Sequence, residues 1–196
     1  MRIADLAGSR RGIRAGIVAM CVLFACGCGQ HSETPVGGSN APGTPIASSF
    51  QGDFKIANLN DGTAAAWGSN ENPEDTYAGY EFPVARTVRT IRITAFSPDN
   101  RPHLRDISVV TADAASPKPV WKIVRARLQG APGFATKLTV PAAADEAAIA
   151  IEVDPTDPGA GPHKVWGIAC MSTSMGYIRN YLPVGNGVYL RELKME

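Results

Sequence analysis

In residues 147–153 the apolar side chains of Ala147, Ile149, Ile151 and Val153 alternate with Ala148, Ala150 and Glu152, and the run stops at Asp154-Pro155. A period of two puts every second residue on one face of an extended strand, so this segment has one buried face and one that meets solvent. Residues 88–96 repeat the pattern, with Ile91, Ile93 and Ala95 against Thr90, Arg92 and Thr94. Three further segments share it: Ile107, Val109 and Thr111; Trp121 and Ile123; and Phe134, Thr136, Leu138 and Val140. No stretch after residue 50 carries the 3.6-residue period of a long amphipathic helix. Short strands separated by Pro, Gly, Asp and Asn turns predict an antiparallel sandwich, with Trp67, Trp121 and Trp166 in its core.

The N-terminal residues are of another kind. Arg2, Arg10, Arg11 and Arg14 face the single acid Asp5, and residues 15–25 (AGIVAMCVLFA) are uninterrupted apolar or small residues. That run is too short to cross a hydrocarbon core, which needs about 20 residues, and reads as a signal peptide over residues 1–25. Leu23-Phe24-Ala25-Cys26 resembles a bacterial lipobox, which implies lipidation of Cys26 and attachment to a membrane through its acyl chains. The resemblance to a lipoprotein implies the cell envelope as address, and Gly27 rather than Asp after the cysteine implies the outer membrane if the cell has one. Residues 26–50 are rich in Gly, Ser, Pro and Thr, with Val36 and Ile46 as the larger aliphatic side chains, and are expected to form a flexible tether.

Residues 51–196 then have the length of one domain, enough to bury about 70% of the unfolded chain's surface without disulfides. Cleavage before Cys26 and its lipidation leave Cys28 and Cys170, so no disulfide framework is expected. A formal net charge of +1 and scattered basic residues argue against a nucleic-acid partner.

Residues 58–96 order the domain. An Asn60-Asp61-Gly62 turn precedes Trp67, and Tyr80-Glu81-Phe82-Pro83-Val84 leads into the strand around Ile91 and Ile93. Downstream lie Thr111-Ala112-Asp113, then Trp121-Lys122-Ile123-Val124, and finally Arg191-Glu192-Leu193-Lys194-Met195. In this order and spacing the segments resemble the galactose-binding-like jelly rolls, the group that holds discoidin or F5/8 type C domains and family 32 carbohydrate-binding modules. The resemblance covers nearly all of residues 51–196. It implies an all-β, antiparallel jelly-roll sandwich.

It also implies two sites. In relatives the loop before the Trp and an acidic residue near the C-terminus bind a structural calcium ion, which takes six to eight oxygen ligands. Carried over, Asp61 and Glu192 supply carboxylates, Thr63 a hydroxyl and Asn58 a carbonyl oxygen, although this loop is short and holds Ala64-Ala65-Ala66 where relatives place polar residues. Sugar contacts in relatives lie between two strands, where this chain has Asn100, Arg101 and His103. Sugars need planar donors and acceptors for adjacent hydroxyls plus an aromatic face, and Tyr177 or Tyr181 in residues 171–186 would supply the latter.

Catalytic signals are weak. Asp154 and Asp157 each precede a proline and read as exposed turn residues rather than an acid-base pair. There is no Gly-x-Ser-x-Gly elbow, and His31, His103 and His163 are too scattered for a metal centre. Two noncatalytic classes remain: a tethered module that binds glycan or another envelope ligand, or an adaptor that docks onto another envelope protein through residues 171–186.

Overall fold

The alternating segments pair into two antiparallel sheets in a computed structural model that describes residues 43–69, 76–99, 103–141, 146–171 and 187–196. The first sheet contains β1 (Thr44–Ala47), β3 (Tyr77–Arg86), β10 (His163–Met171), β5 (Asp106–Ala112) and β6 (Lys122–Val124) in that spatial order, with β8 (Leu138–Thr139) also beside β5. The second runs β2 (Trp67–Gly68), β11 (Tyr189–Met195), β4 (Thr90–Ala95), β9 (Ala148–Val153) and β7 (Ala126–Leu128). The expected antiparallel sandwich is therefore the observed one.

Each sheet turns its apolar parity inward. Tyr80, Phe82, Ile107, Val109, Trp166 and Ile168 from the first sheet share one buried cluster with Ile91, Ile93, Ile151, Val153 and Leu193 from the second. Burying a side chain of this size stabilises a fold by about 1.5–3 kcal/mol, so this shared interior is the main cohesive term. A register shift between Leu190 and Glu192 of β11 lets Leu190 and Leu193 both enter the core although they lie three residues apart. The indole N–H groups of Trp67 and Trp166, both fully buried, donate to the carbonyls of Ser49 and Arg86 at 2.9 and 2.8 Å.

Three features differ from the sequence expectation. Residues 44–47, expected in the tether, form β1, with Thr44 opposite Glu81 and Ala47 opposite Ala78 on β3. Its composition concealed it because an edge strand needs one row of backbone hydrogen bonds and little apolar area, and it tolerates Pro45. Ile123 is 55% exposed while Val124 is fully buried, so the inward parity of β6 is the reverse of the one expected.

Trp121 is not in the core. It is half-buried on the outer face of the first sheet, over Gly167 and edge-on to Tyr77 at 5.1 Å. Gly79 and Gly167 face each other across β3 and β10, and a Cβ at Gly79 would meet the Trp166 carbonyl oxygen and the Gly167 Cα. The missing Cβ of Gly79 lets the two strands approach, and that of Gly167 clears the surface on which the indole lies.

This close approach predicts that Gly79→Ala lowers unfolding free energy by about 1–3 kcal/mol, the usual cost of overpacking. Urea unfolding of the variant would test it, and a wild-type curve would mean that β3 and β10 do not meet this closely.

Candidate functional site

Antiparallel pairing gives the sandwich two ends. Ala95 of β4 lies beside Leu190 of β11 at one of them, and Thr90 beside Glu152 of β9 marks the other. The first end carries residues 97–99 and 103–105 together with Gly187 and Val188, so it is where the resemblance places a sugar.

An aromatic cluster underlies this end. Tyr189 is edge-on to Phe54 at 5.2 Å and to His103 at 5.1 Å, and Phe54 lies 5.9 Å from Phe96. The Tyr189 hydroxyl donates to Oε1 of Gln51 at 2.8 Å. Phe54 and Phe96 are only half-buried, and the Arg191 guanidinium lies 5.1 Å from the Phe96 ring centre. Aromatic surface beside a planar donor is the combination that sugar recognition requires.

His103 does not take the ligand-facing place expected of it. It is 2% exposed, its Nε2 lies 2.7 Å from Oδ1 of Asp99, and its ring packs against Tyr189. The imidazole is thus a support beneath the surface. Asn100, Arg101, Tyr177 and Tyr181 lie outside the described residues, as does Cys26. Phe54 and Phe96, which the fold brings together at this end, were not singled out from the sequence. For Phe96 the signal was present, since it continues the parity of Thr90, Arg92 and Thr94, which face away from the core.

The residues expected to hold calcium are already engaged by donors of the protein. Oδ1 of the exposed Asp61 accepts from the Thr63 amide and hydroxyl, each at 2.8 Å, which is an Asx turn. Asn58 Nδ2 donates to the carbonyls of Asp53 and Ala66, at 3.2 and 2.8 Å. Glu192 forms a 2.7 Å ion pair with Lys194.

Other donors satisfy the neighbouring carbonyls. Arg191 Nη1 donates to Ala64 at 3.2 Å, and the Tyr80 hydroxyl lies 2.6 Å from the Leu193 carbonyl and 3.2 Å from that of Leu59. Burial and then the nearby charge of Glu192 push the Tyr80 pKa up, so the phenol keeps the proton it donates. Among the described residues no three His, Cys, Asp or Glu side chains gather as a metal site. Asn58, Asp61, Thr63 and Glu192 thus each hold a partner within the protein.

Asp154 and Asp157 are turn residues, as expected, but Asp154 is buried rather than exposed. Its Oδ1 accepts from the Thr156 hydroxyl and amide at 2.7 and 2.9 Å, and its Oδ2 lies 2.7 Å from Arg125 Nη2. Those Thr156 bonds and then Arg125 hold its pKa below the ordinary value of 3.8. For Asp157 burial pushes upward, but the Arg125 and Gly159 amides and the Arg125 guanidinium outweigh it. Both carboxylates stay ionised near neutrality and clamp Arg125, which leaves neither as a proton donor for catalysis.

The same two-sheet arrangement recurs in solved structures across most of the chain. A Streptococcus pneumoniae β-galactosidase (BgaA) structure matches with a TM-score of 0.55 and 14% identity, over 84% of this chain and 95% of that one. The Clostridium perfringens module CpGH89CBM32-5, solved with GalNAc-β-1,3-galactose, matches at 0.53 and 9% identity, over 78% and 93%. The family 32 module of C. perfringens NanJ, solved with galactose, matches at 0.50 and 16% identity, over 78% and 91%. The fold is the galactose-binding-like jelly roll. No family model matches the sequence, and no curated protein matches it either. This jelly roll thus keeps its architecture at identities where site residues need not persist.

A loop closed by its own donors predicts that the melting temperature of the protein is the same in millimolar calcium as in chelator. Differential scanning calorimetry under the two conditions checks this, because an ion that binds only the folded state raises the melting temperature by mass action.

Proposed function

We propose that the chain is a noncatalytic, lipid-anchored protein of the cell envelope whose jelly roll binds carbohydrate. The observation that carries this reading is the match, over 78% of the chain, to modules solved with galactose and with GalNAc-β-1,3-galactose. The half-buried Phe54 and Phe96 beside Arg191 support a site at the first end of the sandwich. Anchoring is supported by Leu23-Phe24-Ala25-Cys26 after an apolar run. More than one acyl chain on Cys26 holds a protein stably at a bilayer, whereas a single chain binds marginally. A shallow sugar site leaves little free energy after ordering costs, and many tethered copies compensate through avidity.

Full-length protein in detergent, applied to a glycan array, is expected to bind glycans that end in galactose or N-acetylgalactosamine. Retention of no glycan would sink the carbohydrate reading and leave docking onto another envelope protein. For the anchor, Cys26→Ser is expected to move the protein from the membrane to the soluble fraction. Release by Cys28→Ser alone would assign the lipid to the other cysteine.

A further inference from the structure

At the end of the sandwich opposite the Phe54 and Phe96 cluster, an open groove of about 650 Å³ crosses the outer face of the second sheet. Thr90 and Glu152, cross-strand neighbours on β4 and β9, form part of its floor. Arg127 and Phe134 line one side and the turn around Thr156 another. Arg89 enters at the head of β4. Its backbone is held on both sides, with its amide donating to the main-chain oxygen of Glu196 at 2.6 Å and its carbonyl accepting from the Val153 amide at 3.0 Å.

The charges of the groove are unequally compensated. Arg125 is engaged by Asp154 and Asp157 at 2.7 and 3.3 Å. Arg127 places both Nε and Nη2 within 2.7 Å of Oε2 of Glu152, and its guanidinium lies 4.7 Å from the centre of the Phe134 ring. Arg89 is exposed and forms no ion pair among the described residues. The Thr90 hydroxyl and Oε1 of Glu152 likewise make no hydrogen bond among the described residues.

We propose that this groove is a second ligand site, for a saccharide unit bearing one carboxylate, that is, a uronic acid. A guanidinium matches a carboxylate with two parallel hydrogen bonds. The Thr90 hydroxyl and Oε1 of Glu152 then serve the sugar hydroxyls as donor and acceptor, and Phe134 gives the apolar wall against which a pyranose lies. A phosphate dianion suits the groove less well, because its second charge would meet Glu152 and find no further unpaired arginine among the described residues that line the groove. That the ligand is a saccharide rests on the proposed function; that it carries one carboxylate rests on the groove.

The test is calorimetric titration of the full-length protein in detergent with trigalacturonate, galactotriose and inorganic phosphate. Wild type is expected to bind trigalacturonate, and more weakly as salt rises. Arg89→Ala is expected to weaken that binding about 10- to 100-fold, the loss of hydrogen bonds to a charged group, while leaving array binding to neutral glycans and the melting temperature unchanged. Arg89→Lys, which keeps the charge but not the fork, is expected to fall between them. Equal trigalacturonate affinity in wild type and Arg89→Ala would overturn the site. Phosphate binding that depends on Arg89 and matches that of trigalacturonate would overturn the saccharide assignment. If neutral glycans bind and trigalacturonate does not, the groove proposal alone fails; if no saccharide of either kind binds, the proposed function fails with it.

Discussion

A sheet with one apolar face is stable only when that face is covered, and in this chain each sheet is the cover for the other. Trp166 and Ile168 on β10 and Ile107 and Val109 on β5 meet Ile91 and Ile93 on β4 and Ile151 and Val153 on β9 in one cluster. The contact joins distant parts of the chain, since the consecutive strands β4 and β5 meet the later pair β9 and β10. The hydrophobic effect is non-directional, so it brings the faces together without choosing their register. Register is chosen by backbone pairing, and the facing Gly79 and Gly167 let β3 and β10 approach closely in that register.

Polar interactions act at the margins of that core, where loops must be held without much apolar area. The Tyr80 phenol reaches through to the carbonyls of Leu193 and Leu59 and thereby ties the residue 59 turn to β11. At the other end Asp154 and Asp157 converge on Arg125, which fixes the corner where the chain passes from β6 in one sheet to β7 in the other. Each clamp matters less for its gross energy than for what its loss would leave, namely a buried donor or carboxylate with no partner.

Most of the architecture was legible in the sequence, and the reason is specific. A strand buried on one face writes that fact as a period of two, so residues 147–153 and 88–96 declared β9 and β4 directly. Where burial is set by distant residues, the period is silent. β1 is an edge strand whose partner supplies the order. Trp121 looked like core because the residues that seat it on the outer face, Gly167 and Tyr77, belong to β10 and β3. The ends of the sandwich were read least well for the same reason. His103 looked available until Asp99 and Tyr189 were seen to enclose it, and Phe54 joins Phe96 and Tyr189 only after folding.

The groove is the extreme case of this limit. Its residues come from the head of β4, from β7 and the residues after it, and from the end of β9 and the turn that follows, and none of these segments carries a motif. What distinguishes Arg89 from Arg125 and Arg127 is not its sequence neighbourhood but the carboxylates it lacks, because Asp154 and Asp157 serve Arg125 and Glu152 serves Arg127. Specificity for a charged ligand arises in this way when a fold satisfies all but one member of a like-charged group. The satisfied members hold the walls in place, and their carboxylates reject a second negative charge. The remaining guanidinium is held at its backbone by strand pairing and is free at its tip. A sheet whose groove holds one arginine without an ion pair among the described residues is therefore suited to select by charge number as well as by shape.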